Sequence, residues 1–247
     1  MQYIERTYRQ LHRQQDLKHF QVAEKETDLD IAILKECYND QLIAQTKKLI
    51  KKFRQQLESY LKRDQKFKET LEPHKTLPHA PAIAREMAQA ASEAGIGPMA
   101  SVAGAFAQYV GKELLRYSDE VIVENGGDIF ISTKVTRNIG VFAAQSPFSN
   151  RIALEILPEQ TPIGICTSSG TVGHSLSFGK ADAVVVLSAS TLLADATATA
   201  AANMVENYED LQQAVDFAIA IPGINGALVI KDDKMVAQGE IKLTPIM

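Results

Sequence analysis

The segment 194–200 reads Ala-Asp-Ala-Thr-Ala-Thr-Ala and predicts a helix of small side chains that packs tightly against a neighbour. On a helix, Asp195 and Thr199 lie one turn apart on the same face. Their two oxygens suit Mg²⁺ that is held jointly with a phosphate, since phosphate oxygens and water fill its remaining positions. The alternative is a purely structural helix with Asp195 at or near its N-cap.

The composition is that of an ordinary globular protein. Of 247 residues, 45% are hydrophobic and 23% are charged, which is enough for a substantial core. The net charge of −4 argues against general nucleic-acid binding. No apolar run approaches the roughly 20 residues that cross a bilayer, and the polar residues 1–20 are not a signal peptide. Two cysteines are too few for a disulfide framework. We therefore expect a cytoplasmic protein with no nucleic-acid or membrane partner.

Residues 1–80 are predicted to form an N-terminal lobe of a single domain, with two strands and one long amphipathic helix. The strands are 3–8 and 20–34, and the helix spans 39–71. The apolar stripe of this helix is buried either on the chain's own sheet or in a homodimer. Its basic outer face is either a solvated surface or a site for an anion or acidic partner.

Residues 81–247 are predicted to form a second lobe that mixes helices and strands without strict βαβ alternation, which indicates an α+β fold. An Ala-rich stretch over 83–94 is followed by a Gly-Pro break, which leaves first-turn N–H groups of the next helix available to an anion. The predicted helices are 99–116, 191–207 and 211–220. The predicted strands are 121–124, 129–132, 138–142, 152–156, 163–166 and 183–188, followed by a hairpin over 226–241.

Two further polar clusters accompany Asp195 and Thr199. The turn Asn125-Gly126-Gly127-Asp128 combines a bare backbone with a carboxylate, although paired glycines also suit an ordinary hairpin turn. The loop from Ser168 to His174 offers hydroxyls, free amides and an imidazole. Such a loop can cradle a phosphate, but it is also typical of a polar surface loop, and His174 alone suits a structural role.

In this order and spacing, the three clusters resemble the ApbE family of FAD:protein FMN transferases. The family has a strand ending in Gly-Gly-Asp, a Ser-Gly element leading to a histidine, a strand, and a helix that opens Ala-Asp-Ala-x-x-Thr-Ala. The matching pieces begin at Gly126, at Ser169 and at Ala194. The resemblance covers about residues 95–205 and implies mostly antiparallel sheets flanked by helices.

The resemblance also implies roles for individual residues. Asp195 and Thr199 would hold Mg²⁺ against the pyrophosphate of FAD. Asp128 or His174 would be the base for an acceptor, either a protein hydroxyl or water. The nucleotide would be lined by Asn125, Gly126, Gly127, Ser168, Ser169 and Gly170.

The chain departs from the family pattern in two places. The family helix reads Ile-Ala-Lys-Gly-Tyr-Ala-x-Asp, whereas residues 102–109 read Val-Ala-Gly-Ala-Phe-Ala-Gln-Tyr and lack both the lysine and the aspartate. The Asp-Pro that follows the family's histidine is also missing after His174. We expect a protein that binds FAD or a related nucleotide with Mg²⁺, as a weak FMN transferase or an FAD pyrophosphatase. The alternative is a non-catalytic protein that binds a flavin, a nucleotide or a protein partner.

Overall fold

The structure is a computed structural model that describes residues 14–170 and 179–246. Within this part of the chain, strands and helices follow one another in mixed order. The strands are β1 (Leu17–Glu24), β2 (Thr27–Leu34), β3 (Val121–Asn125), β4 (Asp128–Ser132), β5 (Arg137–Gly140), β6 (Ile152–Ile156), β7 (Ile163–Ser168), β8 (Ala183–Ser188), β9 (Ile224–Lys231), β10 (Lys234–Gly239) and β11 (Leu243–Pro245). The helices are α1 (Asp40–Leu61), α2 (Gln65–Glu69), α3 (Ala82–Glu93), α4 (Val102–Leu114), α5 (Thr191–Ala202) and α6 (Leu211–Ala220).

Two antiparallel sheets organise the fold. The larger has eight strands in the order β1-β2-β3-β4-β7-β8-β9-β10, and the smaller has the order β11-β6-β5. Neighbouring strands in both sheets run antiparallel. The predicted α+β class with mostly antiparallel sheets flanked by helices is confirmed.

The eight-stranded sheet is covered on both faces. Val123 and Phe130 point toward a core that includes α1, α3 and α4. Ile122, Ile129 and Ile131 point the other way, toward a core shared with the smaller sheet. This alternation is the period of two expected of strands. Burial on both faces also explains why β8 is apolar almost throughout and buried at every position.

The N-terminal strand prediction was partly wrong. Residues 20–34 do not form one strand but belong to a hairpin of β1 and β2. The chain reverses at Lys25, whose φ of 54° lies in the left-handed region. Lys25 Nζ then lies 2.8 Å from Glu58 Oε2 on α1, which fixes the turn against that helix. The predicted strand 3–8 lies outside the described residues.

The long helix is shorter than predicted because Asp64 interrupts it. Its side chain accepts a hydrogen bond from Phe67 N at 3.1 Å and so caps α2. It also accepts a hydrogen bond from Tyr60 Oη at 2.6 Å and lies 3.0 Å from His74 Nε2. A carboxylate with these partners starts a new helix rather than continuing the old one.

The apolar stripe of α1 packs against the rest of the chain, which is the first of the two predicted locations for this face. Leu42, Ile50, Phe53 and Leu57 all belong to the core between the helices and the large sheet. Most of the stripe therefore packs on the chain's own core, and self-association stays a prediction. The division into two lobes also stays a prediction. Strand β2 of the predicted N-terminal lobe pairs with β3 of the predicted second lobe, so one sheet runs through both.

The remaining elements lie close to their predicted positions. Strands β6 and β8 and helix α6 have the predicted bounds, and the hairpin near the C-terminus turns between Lys231 and Lys234. Helix α5 ends at Ala202 rather than residue 207, and a turn of 3-10 helix over Pro98–Ser101 precedes α4. Among the helices that the structure describes, none combines the length and apolar character needed to cross a membrane.

Candidate functional site

The β3–β4 hairpin places two of the predicted site residues side by side. Its turn has Gly126 at φ 70° and Gly127 at φ 107°, which is the conformation that favours paired glycines. Asn125 and Asp128 are cross-strand partners. Gly127 N donates to Glu124 Oε1 at 2.9 Å, which fixes the turn. The predicted hairpin is confirmed, and a ligand-binding role for the turn stays a prediction.

Asp128 is a buried carboxylate at the start of β4. It is 6% exposed and pairs in register with Cys166 of β7. Burial raises the pKa of Asp128 to about 7, and the negative charge of Glu124 adds to that rise. Hydrogen bonds from the Cys166 thiol and from the backbone N–H of Thr167 act in the opposite direction. The group therefore changes charge near neutral pH, where proton transfer is most efficient.

Asp195 lies on α5 and contacts the N-terminus of α4. Gly104 N donates to Asp195 Oδ2 at 2.8 Å, and a backbone hydrogen bond from Ala103 also reaches this carboxylate. The anion predicted at the start of α4 is therefore a side chain of the protein itself. Asp195 is not the N-cap of its own helix, because Ser190 accepts from Leu193 N in that role.

The carboxylates of Asp128 and Asp195 lie close enough to affect each other. Burial raises the pKa of Asp195 well above its usual value, and the charge of Asp128 raises it further. In the ranges 14–170 and 179–246, no cation contributes to the pKa of either group. The same residues hold no cluster of three His, Cys, Asp or Glu side chains arranged for a metal. A cation held here would need oxygens from a ligand.

Helices α4 and α5 are locked together by reciprocal contacts. Gln108 Oε1 accepts from Thr191 N at 2.8 Å, while Asp195 accepts from Gly104. A Cβ atom at position 104 would lie 2.5 Å from Thr191 O and 2.9 Å from Asp195 Cβ. The family pattern has its lysine at position 104. In this chain the position is a glycine at which α4 and α5 touch, so there is no room for a side chain.

The other described residues of the predicted site lie on α5 and at or just after the end of β7. Thr199 follows Asp195 by one turn of α5, and both are less than a tenth exposed. The buried Ser168 Oγ at the end of β7 has no hydrogen-bond partner in the part of the chain that the structure describes. Ser169 Oγ donates to Ala181 O at 3.4 Å. Gly170 packs against Gly179 so closely that a Cβ would lie 1.8 Å from Gly179 O.

His174 lies outside the described residues, and its role stays a prediction. Lys180, the first basic residue after His174 along the chain, could in principle replace the family's lysine, but it is exposed and its Nζ lies 2.8 Å from Glu206 Oε2 on the surface. This pairing gives no support to Lys180 as a substitute for the family's lysine.

Sequence reasoning missed Cys166, Glu124 and Gln108. The two cysteines were considered only for a disulfide framework, although the register of Cys166 opposite Asp128 puts it in the site. Glu124 precedes the glycine turn, and its charge acts on Asp128. Gln108 directly follows the apolar run 102–107, and this was the available signal for a buried hydrogen bond.

Known proteins match this chain in sequence and in fold. The family model described as AbpE bacteria matches residues 9–236. A protein of Methanocella arvoryzae named UPF0280 protein is 40% identical over 193 residues, which cover 78% of each chain.

Two solved structures share the fold at low sequence identity. The flavin transferase ApbE of Vibrio cholerae has a TM-score of 0.61 at 14% identity, covering 90% of this chain and 96% of that one. The apo form of the flavinyl transferase ApbE of Pseudomonas stutzeri has a TM-score of 0.59 at 11% identity, covering 90% and 94%.

Substituting Gly104 tests the helix contact. We expect Gly104→Ala to lower the free energy of unfolding by about 1–3 kcal/mol, because the added methyl must push the two helix backbones apart. Urea unfolding measures the change. Ala103→Ser, one residue earlier at a half-buried position, is the control with a small expected effect. An unchanged midpoint for Gly104→Ala would contradict the contact.

Replacing Asp128 tests its environment through pH. The pKa of Asp128 is higher in the folded protein than in the unfolded chain, so the folded state retains a proton that the unfolded state releases. The stability contributed by this group is therefore lost as pH rises from about 4 to about 7. We expect Asp128→Asn to be more stable than wild type at pH 8, by at most about 4 kcal/mol, and to lose that advantage at pH 4.

Urea titrations at the two pH values provide the measurement. The exposed Asp216→Asn serves as a control for general charge effects. A stability difference between Asp128→Asn and wild type that does not depend on pH would show that Asp128 titrates normally.

Proposed function

Because the chain belongs to the family described as AbpE bacteria and is an ApbE-like protein, we propose that it binds FAD or a related nucleotide together with Mg²⁺. The observation that carries this proposal is the buried pair Asp128 and Asp195, to which the described residues bring no cation. Neighbouring buried carboxylates without a counter-ion are unfavourable. A divalent cation bound together with a pyrophosphate would compensate the negative charge of the two carboxylates.

The chemistry of the donors fits Mg²⁺. Asp195 and Thr199 offer a carboxylate and a hydroxyl oxygen one turn apart, and Mg²⁺ prefers hard oxygen ligands. The unpartnered hydroxyl of Ser168 is a further buried oxygen, suited to a phosphate or to its bound water. When bound, the cation would neutralise charge on the pyrophosphate and on the leaving oxygen.

The hairpin turn supplies the nucleotide-facing backbone in this proposal. A Cβ at Gly126 would meet nothing within 4 Å, so the turn presents open space on that side. The backbone of Gly127 and the amide of Asn125 lie next to it. We assign the neighbouring Ser169 and Gly170 to the same ligand because the resemblance places them there.

Asp128 is the proposed base for the acceptor. A carboxyl group with a pKa of about 7 is partly ionised at neutral pH and can accept a proton from a protein hydroxyl or from water. His174 is the second candidate for this role. The acceptor in the proposal is a protein, or water if FAD is hydrolysed.

We propose that transfer is slow. Gly104 leaves no space for a lysine side chain at the family position. Loss of one preorganised electrostatic partner typically lowers the rate by about 10²–10³. A second candidate function, binding without catalysis, is favoured by the engagement of Asp195 with Gly104 N. We also propose a cytoplasmic location and a homodimer.

Calorimetry tests ligand binding. We expect wild type to bind FAD more tightly with Mg²⁺ than without it. Asp195→Asn should lose most of that gain, at least about tenfold in affinity, because it removes the charged ligand. Asp216→Asn is the matched control. Absence of FAD binding at millimolar concentration with Mg²⁺ would overturn the proposal.

Product analysis decides between the two functions. The protein is incubated with FAD, Mg²⁺ and a threonine-bearing peptide, and the products are identified by mass. Flavinylated peptide or slowly released FMN and AMP support the enzyme. Bound FAD that stays intact supports the non-catalytic alternative.

A further inference from the structure

The large sheet ends at β10, and the outer edge of this strand is open. Strand β10 pairs with β9 alone, from Lys234 opposite Lys231 to Gly239 opposite Gly226. Five of its six residues are exposed and the sixth is half-buried. An open edge of this kind offers backbone N–H and C=O groups to another strand.

The register shows which backbone groups of β10 face outward. In an antiparallel pair, every second residue exchanges hydrogen bonds with the neighbouring strand. Just after β10, Glu240 N donates to Asn225 O at 2.8 Å, so the even-numbered residues bond to β9. Met235 and Ala237 therefore turn their N–H and C=O groups away from the sheet. No residue in the described part of the chain bonds to these four groups.

The side chains along this edge lack the usual protection against pairing. Natural edge strands commonly carry a charge or a proline in their exposed part, whereas residues 235–239 read Met-Val-Ala-Gln-Gly. The side chain of Met235 lies on one face of the sheet, and the residue is 37% exposed. On the other face, Val236 and Ile219 of α6 are partly exposed and pack against the same core. The edge is thus apolar on both faces, which suits contact with protein.

We propose that β10 pairs with β10 of a second copy of this chain, in antiparallel orientation about a twofold axis. Met235 of each copy then exchanges hydrogen bonds with Ala237 of the other, and all the outward groups of these residues are satisfied. The axis passes between the two Val236 residues. Because both copies use the same edge, the assembly closes as a dimer. The two eight-stranded sheets join into one continuous sheet.

The charges along the edge suit pairing of this strand with itself. In this register, Lys234 lies opposite Gln238 of the second copy and diagonal to its Glu240, and such diagonal neighbours can interact. No two residues of like charge lie directly opposite each other along β10. The inference rests on the homodimer proposed above and gives it a location. It requires neither FAD nor Mg²⁺.

A cross-link tests the position of the axis. The two Val236 residues form a non-hydrogen-bonded pair, in which the Cα atoms lie about 4.5 Å apart, within the range that a disulfide spans. We expect full-length Val236→Cys to form a covalent dimer on mild oxidation, seen by mass spectrometry. Gln238→Cys is the matched control, because its counterpart lies about 14 Å away along the paired strands. The wild-type chain controls for Cys37 and Cys166.

A proline tests the hydrogen bonds of the edge. Ala237→Pro removes an N–H that β9 does not use, and edge strands tolerate proline at such positions. We expect this variant to dimerise at least about tenfold more weakly than wild type, because two hydrogen bonds are lost and the ring obstructs pairing. Sedimentation velocity over a concentration series measures the change. Ala237→Val keeps the N–H and should dimerise as wild type does.

A charge exchange tests the register. Gln238→Lys places a second positive charge opposite Lys234 of the other copy and should weaken the dimer about threefold or more. Adding Lys234→Glu makes the facing charges opposite again and should restore dimerisation. Circular dichroism and thermal unfolding show whether Ala237→Pro folds. If it does not, the exposed charge variants and the cross-link decide.

Three results would overturn the proposal. The first is a wild type that sediments as a monomer at every concentration. The second is a dimer whose affinity is unchanged in folded Ala237→Pro or in Gln238→Lys. The third is a cross-link that fails in Val236→Cys or forms equally in Gln238→Cys. The FAD titration is read separately, so loss of this interface and loss of nucleotide binding are distinguished.

Discussion

Helices α4 and α5 meet at Gly104, where the backbone N–H of one helix donates to the carboxylate of Asp195 on the other. In a second contact between the two helices, Gln108 of α4 accepts a hydrogen bond from Thr191 N at the start of α5. The helices approach this closely because Gly104 has no side chain and α5 is rich in alanine. The position of Asp195, and with it the geometry of the whole site, depends on this contact.

The contact has an electrostatic consequence. It brings Asp195 beside Asp128 in a region with little solvent, and the charge of each disfavours ionisation of the other. The N-terminus of α4 offsets part of this through its N–H groups. The negative charge that remains uncompensated is the physical reason for proposing that a cation binds here together with a phosphate. The same contact occupies the position of the family's lysine, which links the packing of the helices to the slow transfer that we propose.

Sequence reasoning succeeded where the signal was local. The four-residue spacing of Asp195 and Thr199 gave the correct helix, and the paired glycines at 126 and 127 gave the correct hairpin. It failed where the deciding partner was distant in sequence. Gly104 and Asp195 are 91 residues apart, and nothing in either segment indicates that one binds the other.

Two local errors concern where an element ends. The strand alternation breaks at Glu24-Lys25-Glu26, three charged residues in a row, and the chain turns there with Lys25 against Glu58. Asp64 likewise interrupts the heptad track of the long helix. The helix ends there because this carboxylate bonds to Tyr60, Phe67 and His74. In both cases the prediction continued an element across a break that the sequence marks.

Direct titration of the carboxyl groups by carbon NMR addresses the carboxylate pair most closely. With carbon-13 at the aspartate side chains and assignment by Asp128→Asn and Asp195→Asn, the account predicts that Asp128 titrates with a pKa of about 7. Asp195 should titrate well above the usual aspartate range. Removing either carboxylate should lower the pKa of the other. If both groups titrate near about 4, the ordinary value for aspartate, then the pair is neither buried nor coupled, and the proposed cation site has no physical basis.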